Sequence, residues 1–182
     1  MHTSQNRQRR TMLKIGTGIL MTLAPLTRSL ADVLSELSSN VMVTVEEFTA
    51  DGSSKGAQRI AKIVKSDSEW QATLPADSYR VTRLGEADHP FTGSLWNARK
   101  DGVYRCICCD TALFDSSTKF ESGTGWPSFW QPISALNISR DNGRFSCTRC
   151  DAHLGLVIAD GPAPTGLRFS AYPLALKFEA KA

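Results

Sequence analysis

The sequence has no apolar run long enough to cross a bilayer. The most apolar stretch near its start, Ile15 to Thr27, holds 13 residues, against the roughly 20 that a spanning helix needs. It has no internal repeat and no low-complexity segment, which excludes solenoid and linker-like architectures. Cysteine is absent outside residues 106 to 150. The five within that window are an odd number that cannot all close internal disulfides. Basic excess is missing too, once the first 31 residues are set apart. Of the 21 basic and 18 acidic residues of the chain, that leader holds five basic and no acidic ones. Residues 32 to 182 therefore carry 16 basic against 18 acidic groups, a formal charge of −2. Nothing in that balance calls for nucleic acid as a partner.

What the leader does hold is ordered. Arg7, Arg9, Arg10 and Lys14 precede the uncharged run, and Ser29-Leu30-Ala31 follows it. A basic start, a short apolar centre and a small residue at the cleavage position predict an export signal over 1–31. Arg9-Arg10-Thr-Met-Leu-Lys14 matches the twin-arginine type, which moves folded proteins. The expected location is the periplasm or another exported compartment, with no membrane span in the mature chain.

Thirteen glycines and eight prolines, with few long helical patterns, point to a mainly β class. Val41, Val43 and Val45 alternate, and Asp51-Gly52 follows. This predicts a strand, a turn and a second strand near Arg59–Val64, so residues 32–62 are expected to be an N-terminal extension forming a hairpin. Ser66-Asp-Ser-Glu69 is a capping box. It predicts a short helix that packs Trp70 and Leu74 and is limited by Pro75, followed by a helical turn over Ala76–Tyr79. Residues 84 to 101 read as loop. Asp141-Asn142-Gly143 is a hairpin turn. Leu154–Ile158 reads as a buried strand ended by Asp160-Gly161-Pro162, and Leu167–Phe178 as a last strand or pair. Alternation puts Arg168, Ser170 and Tyr172 on one face, and Leu167, Phe169 and Ala171 on the other.

Cys106-Ile-Cys-Cys109 and Cys147-Thr-Arg-Cys150 are two Cys-x-x-Cys turns, each aiming two thiolates at one point. Together they complete a tetrahedral zinc site once the fold closes the 37 residues between them. Two disulfides in an oxidising compartment are the competing account. Folding before twin-arginine export favours the metal. Cys108 is left over, either an inert neighbour in the knuckle or a thiol whose pKa adjacent zinc depresses.

Ordered blocks then run through most of the chain. They are Ser68-Glu69-Trp70, Tyr79-Arg-Val-Thr-Arg83, Pro90-Phe-Thr-Gly93, Gly102-Val-Tyr-Arg-Cys106, Cys109, Ala112-Leu-Phe114, Lys119-Phe-Glu-Ser-Gly-Thr-Gly-Trp-Pro-Ser-Phe129, Cys150-Asp-Ala-His-Leu-Gly155 and Asp160-Gly-Pro162. On these blocks residues 63–182 resemble the methionine-R-sulfoxide reductases of the B type. The resemblance implies two antiparallel sheets with short N-terminal helices and a structural four-cysteine zinc away from the active site. It implies thiolate attack on methionine-R-sulfoxide, with the enzyme then restored by a second thiol or a thioredoxin-like reductant.

The departures fall on the chemistry. The family nucleophile sits in an Arg-Tyr-Cys-x-Asn pattern, and here the strand reads Arg168-Phe-Ser170-Ala-Tyr172. Leu156 stands at the family's second histidine, and Thr124 where many members carry a resolving cysteine. The stretch between Pro132 and Cys147 is also short and lacks the family's Arg-x-Glu segment. A serine hydroxyl is a poor nucleophile without a strong base, and no oxidised serine species can be reduced by a thiol. Ser170 thus marks a catalytic position whose activity is expected to be lost or strongly reduced, with binding of methionine sulfoxide or Met peptides retained. An active reductase using Cys108, or a structural domain without ligand, are the alternatives. Three other residues are expected to line the site. Trp126 would cradle the substrate methyl or serve as core. His153 would orient the site or brace the zinc knuckle. Arg168 would line the cleft or make a surface ion pair. Asp160 reads as a turn residue.

Overall fold

The computed structural model describes residues 41–181, so the export signal expected over 1–31 lies outside the described residues. Strands β1 (Met42–Phe48) and β2 (Ser54–Ala61) form an antiparallel hairpin. Its second strand begins and ends earlier than the Arg59–Val64 expectation, because pairing runs from the Asp51-Gly52 turn outward. Ser66 caps helix α1 (Asp67–Thr73): its N–H donates to Glu69 Oε2 at 2.7 Å and its hydroxyl accepts from the Glu69 N–H. Trp70 is buried under this cap, with the Lys65 ammonium and the Arg83 guanidinium each 4.8 Å from its ring centroid. Leu74 ends the helix, half-buried against the core.

Helix α2 (Ala76–Leu84) is longer than the single turn expected at Ala76–Tyr79. Tyr79, Val81 and Thr82 are all buried, and Gly85 closes the helix in the left-handed region at φ 73°. Tertiary burial extends a segment whose mixed pattern gives weak periodicity. Among the described residues no helix is long and apolar enough to cross a membrane.

Two further antiparallel sheets make the body of the domain. One has three strands in the order β11-β3-β4, with β3 Gly102–Cys106, β4 Ala112–Asp115 and β11 Leu176–Ala180. The other has six in the order β5-β6-β10-β9-β8-β7. Its strands are β5 (Lys119–Phe120), β6 (Ser128–Phe129), β7 (Ile138–Asp141), β8 (Arg144–Cys147), β9 (His153–Ile158) and β10 (Arg168–Ala171). The mainly β class with antiparallel sheets and two short helices matches the sequence reading. Asn142 and Gly143 take φ 46° and 75° between β7 and β8, the doubly positive turn that Asn-Gly favours.

The sheets meet through aromatic rings. Phe114 stacks on Phe129 with centroids 4.2 Å apart, and Tyr104 meets Phe129 edge-on at 4.9 Å. Phe145 and Phe169 close the cluster at 5.5 Å. All five rings are buried, and each such pair adds about 1 kcal/mol beyond its area. This core fixes β10 between β6 and β9, and so fixes the position of Ser170.

Candidate metal centre and the strand carrying Ser170

Both cysteine turns are built the same way. The Cys106 carbonyl accepts from Asp110 N–H at 2.9 Å, and the Cys106 N–H donates to Thr111 O at 2.9 Å. In the second turn the Cys147 carbonyl accepts from Asp151 N–H at 2.9 Å and its N–H donates to Ala152 O at 3.0 Å. Asp110 and Asp151, each following the second cysteine, take φ 67° and 56°. Aspartate tolerates this left-handed conformation better than most residues. Each turn thereby points its two sulfurs inward.

The four sulfurs of Cys106, Cys109, Cys147 and Cys150 lie within 4.8 Å of one another. The short approaches run between the turns: Cys106 to Cys150 at 3.7 Å and Cys109 to Cys147 at 3.5 Å. A disulfide needs about 2.05 Å, and all five cysteines are free. A tetrahedron with metal–sulfur bonds near 2.3 Å has edges of about 3.8 Å. The cluster therefore fits a four-thiolate metal ion. Cys106, Cys147 and Cys150 are buried, and Cys109 is half-buried. Within the cluster the thiols pull in opposite directions. Hydrogen bonding with neighbouring cysteines pushes Cys106 well up and draws Cys109 well down. A bound cation lets all four ionise.

Cys108 lies outside this ligand group. The neighbouring Cys106 and Cys150 thiols pull it down to about 3, so its acidity belongs to the cluster. Its turn joins β3 to β4, in the three-stranded sheet.

Ser170 sits at the middle of the six-stranded sheet, opposite Ser128 of β6 on one side and Leu156 of β9 on the other. It is 5 % exposed. The Ala171 N–H donates to Pro127 O at 2.9 Å and the Tyr172 N–H to Leu154 O at 2.8 Å, so the backbone is held from both flanks. The expected alternation holds, with Phe169 and Ala171 in the core. The polar face is covered, however: Arg168 is 7 % and Tyr172 6 % exposed.

A bulge brings His153 onto that face. Arg144 opposes Leu156 and Phe145 opposes Gly155, but Ser146 opposes His153, leaving Leu154 extra. Without this insertion His153 and Leu156, three apart, would point to opposite faces. With it, His153, Leu156, Ser170 and Tyr172 share one side of the sheet. His153 is half-buried and meets the Tyr172 ring edge-on at 5.5 Å. Burial, then the Arg144 charge, lowers its pKa. Burial also raises Tyr172. Gly155 beside the bulge admits no side chain, since a Cβ there would lie 2.0 Å from the Ser170 carbonyl oxygen.

Arg168 makes the ion-pair alternative, a buried guanidinium meeting the exposed Asp160. Its Nε and Nη2 grip both oxygens of Asp160, at 2.8 and 2.7 Å. Asp160, expected as a turn residue, is therefore the ion-pair partner of a buried guanidinium, and that hydrogen bond holds its carboxyl below the usual range. The sequence signal was the pairing of Asp160-Gly-Pro with an arginine one strand away. Arg168 Nη1 also approaches Thr124 Oγ1 at 3.4 Å, and hydroxyl contacts of 2.8 Å run on from Thr124 through Ser122 to Ser128. Trp126 lies in the same loop, half-buried against the core, with its indole N–H unpartnered. Phe91, whose N–H donates to Gly125 O at 2.7 Å, covers that loop. Structure thus gathers Trp126, Arg168 and Ser170 around β6 and β10, and His153 at the far end of β9.

A mainly β domain with a four-cysteine cluster that could hold a metal ion and a serine at the centre of its larger sheet is the class these features define. The SelR domain family matches residues 74–180. The chain belongs to the methionine-R-sulfoxide reductase B family. It is 50% identical over 116 residues to a peptide methionine sulfoxide reductase MsrB of Pseudomonas putida, covering 59% of this chain and 88% of that one. A second Pseudomonas putida MsrB is 47% identical over 128 residues, 66% of this chain and 96% of the relative. A chloroplastic peptide methionine sulfoxide reductase of Arabidopsis thaliana is 47% identical over 123 residues, covering 63% and 61%.

Proposed function

We propose that this chain is an exported, zinc-stabilised member of the family whose sulfoxide reductase activity is lost or strongly reduced, and whose cleft binds methionine sulfoxide or Met-containing peptides. Zinc is the ion assigned to Cys106, Cys109, Cys147 and Cys150, from four thiolates at tetrahedral spacing. When bound it supplies structural cross-linking and no redox chemistry. The leader's twin arginines and its uncharged run support export.

The observation that carries the reading is Ser170. Reduction of a sulfoxide by a thiolate takes up one proton and moves the oxygen to the attacking sulfur. The thioether leaves and a sulfenic acid remains, which a second thiol reduces to water and a disulfide. Serine oxygen cannot accept oxygen and be regenerated this way. Its neighbour Leu156 offers no base either. For binding, the half-buried Trp126 would offer its indole to the methyl group, and Arg168, fixed by Asp160, keeps one Nη toward the Thr124 hydroxyl. A thioredoxin-like partner is needed only by an active enzyme.

The test incubates the zinc-loaded protein with a methionine-R-sulfoxide peptide and dithiothreitol, beside Ser170→Cys and Cys108→Ser variants. Turnover by the natural protein at the rate of its cysteine-bearing relatives would sink the proposal, and its loss in Cys108→Ser would identify the atypical thiol. Calorimetry with the same peptide tests binding, and no heat would leave a structural domain without ligand.

A further inference from the structure

The β1–β2 hairpin precedes the matched family region, which begins at residue 74, yet its attachments converge on the two cysteine turns. Asn137, with no exposed surface, accepts from the Glu46 N–H at 2.8 Å and donates to the Glu46 and Ala112 carbonyls, both at 2.8 Å. Its own carbonyl accepts from the Thr148 N–H, inside the second turn, at 3.1 Å. One side chain thus imitates a strand edge for β1 while its backbone holds the second knuckle. Arg105 does the same for the first. It directly precedes Cys106, and its guanidinium donates to the Phe48, Thr49 and Asp110 carbonyls at 3.1, 3.2 and 3.3 Å and to Glu179 at 2.6 Å.

The chain leaving the hairpin closes the ring. The Ile63 N–H donates to Arg149 O, between Cys147 and Cys150, at 2.8 Å, and Lys62 pairs with Asp151 at 2.8 Å. Phe48, packed with Val103, Ala112 and Ile133, anchors the hairpin by burial. Metal exit requires the two knuckles to part, and both are pinned to this third body. Buried charge-assisted and amide hydrogen bonds of this kind are costly to leave unmade, so the knuckles and the hairpin open together.

We propose that the N-terminal hairpin is a clamp on the metal centre, with Arg105 and Asn137 as its positioning residues, so that the ion leaves only when the hairpin lifts. The inference stands on the fit of the four thiolates to a metal and is independent of whether Ser170 is active.

The full zinc-loaded chain is mixed with the chromophoric chelator 4-(2-pyridylazo)resorcinol at a temperature well below the melting transition of every variant, and release is followed by absorbance. Phe48→Ala loosens the hairpin without touching a knuckle, and Arg105→Lys removes the guanidinium fork. Each is expected to speed release about fivefold or more, the lower bound for coupling between sites. Arg140→Ala, an exposed change on β7, leaves it unchanged. If one variant fails to fold, the other decides. Acceleration below about fivefold, or equal acceleration by Arg140→Ala, overturns the proposal. Amide exchange of residues 42–63 gives a second reading: protection there falls as metal is lost, and protection indifferent to metal overturns the clamp.

Discussion

Leu156 is the cross-strand partner of Ser170, on the same side of the sheet. On the proposed reading two chemical deficits sit next to each other, a missing sulfur and a missing base. Restoring the sulfur alone, in Ser170→Cys, is expected to give a thiol that reacts slowly with a sulfenic-acid trap and with sulfoxide peptide. Adding Leu156→His should raise turnover by about 100-fold more, the lower end for a positioned acid or base. Steady-state assays of the single and double variants check this. Equal rates would show that Leu156 is not the second deficit.

Gly155 is a position where the backbone leaves no choice. Its φ of 149° and the 2.0 Å approach of a Cβ to the Ser170 carbonyl force β9 and β10 apart in Gly155→Ala. Loss of about 3 kcal/mol is expected, the upper range for overpacking a core. Urea unfolding measures it, with the slope unchanged if the unfolded state is the same.

Metal removal should be felt by the whole domain. One zinc per chain is expected by elemental analysis, none in Cys147→Ser. Stripping it with a chelator is expected to lower the melting temperature by about 10 °C, taking a linkage loss of ~3 kcal/mol for an ion present at ~100 Kd and ~2–4 °C per kcal/mol for this size. A melting curve indifferent to chelation would contradict a structural role.

His153 gives a pH signature. Burial, then Arg144, lowers its pKa from 6.5, so the folded state resists the proton that the unfolded chain accepts. Stability is full above the unfolded value of 6.5 and falls as pH drops from there to the folded value. Below that the loss is constant. His153→Gln is expected to flatten this limb in a series of denaturant titrations. An unchanged limb would assign it to another group.

Short-range signals carried the legible part. The Ser66–Glu69 box, the Asn142-Gly143 turn and the two Cys-x-x-Cys turns each act within a few residues, and each took its expected form. The four-cysteine cluster followed because two such turns need only be brought together. Long-range burial decided the rest. Helix α2 continues to Leu84 because Val81 and Thr82 are covered by the body of the domain, which local periodicity does not register. His153 shares a face with Leu156 only through a bulge at Leu154, and one inserted residue leaves no mark in an apolar run. Arg168 and Asp160 looked separate in purpose until a buried guanidinium met both carboxylate oxygens. The hairpin's hold on the cysteines depends on Asn137, 91 residues from Glu46.

The backbone of β10 is fixed by bonds from Pro127, Leu154 and the flanking strands, none of which uses the side chain at 170. Durability and reactivity are therefore separable traits at this residue. The scaffold is indifferent to whether oxygen or sulfur stands at 170, and a Ser170→Cys chain is expected to melt at nearly the same temperature as the natural one.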